Sequence, residues 1–361
     1  MSKTSFSKNL LNWFKQHGRT TLPWQQEQTP YRVWISEIML QQTQVNTVIP
    51  YYEKFMESFP TVDKLAQADE DSVLHHWTGL GYYARARNLH KAAKVIHGEL
   101  NNVLPTSVDG LCELSGIGRS TAGAILSLGS KQRAVILDGN VKRVLCRYHC
   151  IESWPDQSKT QKQLWQIAEQ YTPKKSCPEY TQAIMDLGAT LCTRSKPACS
   201  ICPLKDGCQA FKEDRSAEFP HRKPKKKLPV KTIQMLMLKT HDTNKVLLEK
   251  RPPQGIWGGL WSFPELASDA NPIDFLKLHG INKAKQSNLK TWDEIRHTFS
   301  HFHLDITPIA LNLDQEHSSI MEDQRWHWYN LESPTELGLA SPVKNLLNKL
   351  SETFQSKLSK S

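Results

Sequence analysis

The chain has 361 residues, 39% hydrophobic and 23% charged, enough for two or three domains with separate cores. No run of about 18 apolar residues occurs and the Met1–Ser5 start has no apolar export stretch, which argues against membrane insertion and secretion and predicts a cytoplasmic protein. A formal charge of +10 suggests a polyanionic partner.

From Ser5 to about Phe211 the apolar residues recur at helical spacing with short polar breaks, which predicts an all-α half. Within it, Pro30 suits a first helical turn, and Trp34, Ile35, Ile38 and Met39 predict a largely buried helix that carries one carboxylate, Glu37. Burial disfavours the ionised form and lifts a carboxyl pKa, as a general acid near neutrality needs. The plainer alternative is a Glu on the solvated side of a core helix, paired with Arg32 or another base. The polar run Gln41-Gln42-Thr43-Gln44 that follows suits contacts with bases and backbone.

Further on, Gly79-Leu-Gly-Tyr82-Tyr83-Ala-Arg85-Ala-Arg87-Asn88 combines a turn with aromatics and arginines. An aromatic here either wedges between bases, with the arginines on phosphates, or belongs to the core. Leu114-Ser-Gly116-Ile-Gly118-Arg-Ser-Thr121 joins two apolar helices by a Gly-Ile-Gly turn whose backbone can approach a phosphate, the pattern of a helix-hairpin-helix. Ile136-Leu-Asp138-Gly-Asn140-Val-Lys142-Arg143 puts Asp138 at a helix N-cap. Capping alone explains it; equally, an Asp held ionised by backbone N–H groups suits an anion facing a developing cation. On the second reading Glu37 and Asp138 would be a neutral acid and a charged stabiliser, the arrangement that breaks glycosidic bonds in general.

Eight cysteines occur, and four of them, Cys192, Cys199, Cys202 and Cys208, fall within 17 residues. In a cytosolic chain such a bunch binds metal, either zinc or an iron–sulfur cluster. Only Cys199 and Cys202 form a tight hook, and this spacing fits a cubane better than a tetrahedral ion. Arg194, Lys196 and Lys205 add a basic surface beside the loop.

Helical periodicity stops at Arg215, and Pro220 to Pro229 is rich in Pro and Lys, which predicts an extended linker over 215–231. It separates an all-α domain, 1–214, from an α+β domain, 232–350. In the latter, Ile233–Leu238, Lys245–Glu249, Phe299–Ile306 and Gln324–Tyr329 are predicted strands, the first two flanking a turn at His241–Asn244, with helices near Pro272–Leu278 and Pro342–Leu350.

Taken together, Glu37, the Gly-Ile-Gly hairpin, Asp138 and the four cysteines, in this order, resemble the helix-hairpin-helix DNA glycosylases that carry a [4Fe–4S] cluster. Among them the chain is similar to the adenine glycosylases, through Leu22-Pro-Trp24, Met39-Leu-Gln-Gln-Thr43, Gly79-Leu-Gly-Tyr-Tyr83 and Leu137-Asp-Gly-Asn140. Arg251 to Pro264 and Phe299-Ser-His301 look like that family's Nudix-like C-terminal domain, so the resemblance spans nearly the whole chain. It implies a multidomain protein: an all-α glycosylase domain, with a six-helix part over 24–132 and an iron–sulfur part over 1–23 and 133–214, plus an α+β Nudix-like domain. The implied substrate is duplex DNA with adenine opposite 8-oxoguanine or guanine, and the implied cofactor is one [4Fe–4S] cluster on the four cysteines. A monomer associated with the nucleoid is expected.

The resemblance also assigns roles. Glu37 protonates the extruded adenine and Asp138 stabilises the oxocarbenium-like sugar, with Asn140 positioning it. Trp24, Gln182 and Arg19 line the adenine pocket. Gln42, Thr43, Tyr82, Gly116, Gly118 and Lys142 meet DNA, Gln42 and Tyr82 by insertion into the duplex. Phe299, Ser300 and His301 distinguish 8-oxoguanine. Ser120 stands where bifunctional relatives have a Lys nucleophile, which implies hydrolysis without strand cleavage. The segment after Pro264 lacks the glutamate array with which Nudix hydrolases hold magnesium, so this domain is expected to bind and not to hydrolyse nucleotides. Competing expectations are a bifunctional glycosylase and lyase for oxidised pyrimidines, disfavoured by Ser120; a Nudix pyrophosphatase, disfavoured by the missing glutamates; and a non-catalytic DNA-binding protein, disfavoured by the two carboxyl groups.

Overall fold

A computed structural model describes residues 3–223, 227–241, 243–316 and 325–358. The chain divides into two compact units, one of Met1–Gln67 and Asn88–Lys225, the other of Ala68–Arg87 and Lys226–Ser361.

The described residues of the first unit form helices and turns without strands. Its central helix, Pro30–Leu40, begins where the Thr29 hydroxyl accepts the Arg32 N–H, with Pro30 in the first turn. Tyr31, Val33, Trp34, Ile35, Ile38 and Met39 are buried, because helices Pro23–Gln26, Val45–Ser58 and Arg119–Ala124 and the π-turn Ile125–Gly129 pack around it. That turn approaches so closely that a Cβ on Gly129 would lie 2.6 Å from the Pro30 Cα, which leaves room only for glycine. A second core joins Phe6 and Leu10 to Val144, Leu145, Leu164, Ala183 and Leu187, and so ties helix Lys3–His17 to helices Gly139–Tyr148, Ser158–Tyr171 and Cys177–Thr190.

The start of the expected linker is packed rather than solvated. Phe219 is buried and its carbonyl accepts from Nε of the buried Arg147, so Arg215–Phe219 closes the helical unit. Of the remaining linker, residues 224–226 lie outside the described ones.

The second unit is built on a mixed sheet of β1 (Val230–Thr240), β2 (Lys245–Lys250), β3 (Trp261–Ser262), β4 (Glu265–Ala267), β5 (Lys290–Thr291), β6 (Ile295–Thr298), β7 (His303–Leu313) and β8 (Trp326–Asn330). β1 and β7 run parallel, from Val230 opposite His303 to Thr240 opposite Leu313; β2 pairs antiparallel with both β1 and β8. Leu236, Leu238, Leu247, Leu276, Leu311, Trp326 and Trp328 form its core.

Three differences from expectation concern this unit. The strand predicted at Phe299–Ile306 begins only at His303, because Thr298 pairs with His303 and residues 299–302 form the tip of a β6–β7 hairpin. The strand predicted from Gln324 is described from Trp326, Gln324 itself lying outside the described residues, as does Asp242 of the predicted turn. Finally, Ala68–Arg87 belongs to this unit and not to the helical one. Lys250 and the Trp261 indole meet the Asp71 carboxylate at 2.9 and 3.3 Å, and the Tyr83 hydroxyl donates to the Leu339 carbonyl at 2.9 Å.

Candidate active site

The helix Pro30–Leu40 leaves one strip open, where Val33, Ser36, Glu37 and Leu40 face a cleft of about 530 Å³. The cleft brings together Arg19, Trp24, Gln42, Thr43, Ser120, Asp138, Asn140 and Gln182, residues from five separate stretches of the chain.

Among the described residues no side chain donates to the Glu37 carboxyl, which burial and the neighbouring Asp138 carboxylate push up to about 8. Asp138 is treated differently. It caps helix Gly139–Tyr148, accepting the Val141 N–H on Oδ1 at 2.8 Å and the Asn140 amide on Oδ2 at 3.1 Å. Against the expectation that the N–H groups it accepts from hold Asp138 ionised, burial pushes its carboxyl up and outweighs these donors and the Arg143 charge. Of the two, Asp138 is the one that accepts hydrogen bonds, from the Val141 N–H and the Asn140 amide.

The approach to Asp138 is fixed from behind. The Ser120 hydroxyl accepts the Leu137 N–H at 2.9 Å, so it positions the residue before Asp138. Arg143 donates to the Asn140 side-chain Oδ1 at 2.8 Å, to the Gly188 backbone carbonyl at 2.6 Å and to the Cys192 backbone carbonyl at 2.7 Å. On the opposite wall, Trp24 packs edge-on to Tyr52, while Arg19 and Gln182 both bond Asp186.

Other expected residues lie outside the cleft. In the hairpin, Ser107 caps helix Val108–Cys112, Gly116 has φ +82°, and Gly118 opens helix Arg119–Ala124. Lys142 forms an ion pair with Asp156 at 2.6 Å. Within the second unit, Tyr82 has φ +50°, is 49% exposed and stands beside the Arg85 guanidinium; Tyr83 is core. The hairpin tip is closed by the Phe299 N–H on the Phe302 carbonyl at 2.9 Å, with the two rings stacked and the Trp257 ring 5.6 Å from Phe299. Ser300 and His301 are exposed at this tip.

Cys192, Cys199, Cys202 and Cys208 line one cavity walled by Val144, Tyr148, Leu187 and Leu204. All four cysteines reach this one cavity, and four thiolates in one loop are the donor set that an iron–sulfur cluster takes. Burial and the other sulfurs push the Cys202 thiol up to about 12, so loading exchanges bound protons for metal. Arg147, buried beneath the loop, donates to the Cys192 sulfur at 3.2 Å and to the Thr193 and Arg194 carbonyls at 2.7 and 3.2 Å.

Arg143, Arg147 and Asp186 escaped the sequence reading. A faint signal existed, since Arg143 and Arg147 share one face of the Asp138 helix and Asp186 follows Gln182 by one turn.

Comparison with known proteins accords with this geometry. Residues 35–170 match the HhH-GPD superfamily of base excision DNA repair proteins, 192–208 the iron-sulfur binding domain of endonuclease III, and 234–349 the NUDIX domain. An adenine DNA glycosylase of Buchnera aphidicola subsp. Baizongia pistaciae is 40% identical over 350 residues, covering 97% of this chain and 98% of that one. The chain belongs to the adenine DNA glycosylase family. Within that family the human protein is 32% identical, over 86% of this chain and 67% of its own length. This adenine DNA glycosylase family member is therefore a base excision repair enzyme that hydrolyses the N-glycosyl bond of adenine in DNA, and its cysteine loop holds an iron–sulfur cluster. Its helical fold is shared with a thermostable thymine-DNA glycosylase (TM-score 0.54, 24% identity, 58% of this chain and 97% of the other) and with endonuclease III in a trapped DNA complex (TM-score 0.51, 20% identity, 59% and 99%). No helix among the described residues is long and apolar enough to cross a membrane.

Proposed function

We propose that this glycosylase removes adenine mispaired with 8-oxoguanine or guanine, that it is monofunctional, and that Glu37 and Asp138 carry the reaction. The observation that supports this best is the pairing of a carboxyl lifted to about 8, Glu37, with a capped and hydrogen-bonded one, Asp138, on one cleft.

In this reading the target nucleotide leaves the helical stack and its base enters the cleft between Trp24, Arg19 and Gln182. Glu37, protonated at neutral pH, gives its proton to a ring nitrogen, so adenine departs as a neutral base. Asp138, oriented by Asn140, stabilises the positive charge that grows on the sugar. Water completes the hydrolysis, because Ser120 offers a hydroxyl bonded to backbone and no amine. Gln42, with φ +59°, and the exposed Tyr82 insert into the duplex; Thr43, Lys142 and the Gly116–Gly118 turn meet the backbone. Phe299, Ser300 and His301, at the tip of their hairpin, recognise 8-oxoguanine.

The same proposal includes one [4Fe–4S] cluster that fixes the loop Cys192–Cys208, a catalytic domain within 1–214 that excludes Ala68–Arg87 and is closed by Arg215–Phe219, a linker in the part of 215–231 that follows Phe219, and a recognition domain over 232–350. It includes a monomer that works in the cytoplasm on nucleoid DNA.

The test uses an end-labelled duplex with adenine opposite 8-oxoguanine, split after incubation into samples with and without hot alkali. Breaks only after alkali are expected. Breaks without alkali would indicate a lyase with an amine nucleophile, and no breaks in either sample would reject this substrate.

A further inference from the structure

Asp186 lies on helix Cys177–Thr190, one turn beyond Gln182, and its side chain is 1% exposed. Its carboxylate accepts four hydrogen bonds, from the Arg19 backbone N–H at 2.8 Å, from Arg19 Nε and Nη2 at 2.9 and 2.6 Å, and from Gln182 Nε2 at 3.0 Å. Nothing in the sequence motifs assigns it a role, yet it joins two residues that line the cleft, Arg19 and Gln182, from distant parts of the chain.

A carboxylate paired with an arginine only accepts hydrogen bonds. The Gln182 amide therefore meets Asp186 with its NH2 group and never with its carbonyl oxygen. Because the two amide atoms diverge from one carbon, Oε1 is turned away from Asp186, on a side chain that lines the cleft. An acceptor fixed in this way complements a purine with an amino group at C6. A carbonyl at C6 faces it with lone pairs on both sides, and a buried site built for one hydrogen-bonding pattern rejects the other strongly.

We propose that Asp186 is a positioning residue for base selectivity: by holding the Gln182 amide in one orientation it makes the cleft accept a 6-aminopurine and reject a 6-oxopurine. The inference rests on the adenine-release function proposed above. Arg19 holds both oxygens of Asp186, Oδ1 by its guanidinium and Oδ2 by its backbone N–H, and so gives the amide a partner fixed in place.

The experiment measures single-turnover base release by the cluster-loaded full chain from two duplexes, with adenine or hypoxanthine opposite 8-oxoguanine, each rate corrected for the spontaneous hydrolysis of its nucleoside. The native protein is expected to favour adenine by about tenfold or more. In Asp186→Asn the new amide can donate to Gln182 Oε1, so the ratio is expected to fall about tenfold, and Asp186→Ser, which offers a rotatable hydroxyl, is expected to move it the same way. Gln182→Met removes the amide and should abolish the preference, and adding Asp186→Asn to it should leave the ratio where Gln182→Met put it. That last comparison separates positioning from a purely structural role, which would lower both rates without converging the ratios. Release of hypoxanthine as fast as adenine by the native protein overturns the inference whatever the variants do, as does a native ratio in a folded Asp186→Asn or in Gln182→Met. Absence of adenine release by the native protein rejects instead the function on which the inference rests.

Discussion

The Arg143 guanidinium donates from Nε to the Cys192 carbonyl at 2.7 Å, and so joins the first residue of the cysteine loop to the wall of the cleft that carries Asp138. Its Nη2 also holds Asn140 Oδ1 at 2.8 Å, and Asn140 in turn donates to Asp138. The loop thereby reaches the carboxylate through two side chains.

Arg143→Ala is expected to slow base release by about tenfold or more, since a hydrogen bond from a charged donor contributes about 1.5–3 kcal/mol. Single-turnover kinetics on a saturating duplex would detect it, with duplex affinity changing far less. An unchanged rate would mean that Asn140 keeps its orientation without Arg143. Removal of iron by a chelator should act in the same direction, because the carbonyl of Cys192 then loses its fixed place.

In the proposed reaction Glu37 is the acid, and this makes activity depend on pH. Its folded carboxyl lies at about 8, above the usual 4.5, so the native state binds more protons than the unfolded chain between these values and stability falls as pH rises through that window. Base release should fall over the same upper limb, as the acid loses its proton near pH 8. Glu37→Gln keeps the shape without the charge. It should abolish release yet melt at a higher temperature than the parent at pH 8.5, with the difference vanishing near pH 4. Equal melting temperatures at pH 8.5 would argue against a raised Glu37.

Much of this was legible in the sequence because the deciding signals are local. The four cysteines lie within one loop, Asp138 caps the helix it begins, and Glu37 follows from apolar residues at helical spacing around it. What escaped is non-local. Asp186 meets Arg19 across 167 residues of chain, Asp71 meets Lys250 across 179, and no composition or period marks such a pair. The Phe299–Phe302 tip failed for another reason: its aromatic residues read as strand, whereas the turn is set by the pairing of Thr298 with His303, which only the sheet reveals.

Ser120→Ala removes the acceptor for the Leu137 N–H. The variant should lose about 1 kcal/mol of stability and part of its catalytic rate, since the backbone before Asp138 loosens. Strand breaks should still require alkali, as in the parent. Breaks without alkali would show that Ser120 had restrained an amine nearby.

Gly116→Ala tests the hairpin. At φ +82° a side chain is strained, and a Cβ there would sit 2.9 Å from the Cβ of Asn88, on the helix against which the turn packs. Either factor alone costs about 1 kcal/mol or more, so melting by circular dichroism should show a clear loss of stability. The same strain displaces the N–H groups that begin helix Arg119–Ala124, which predicts weaker binding of any duplex, matched or mismatched, with little change in the preference between them. A selective loss for the mismatched duplex would place this turn in recognition rather than in backbone grip.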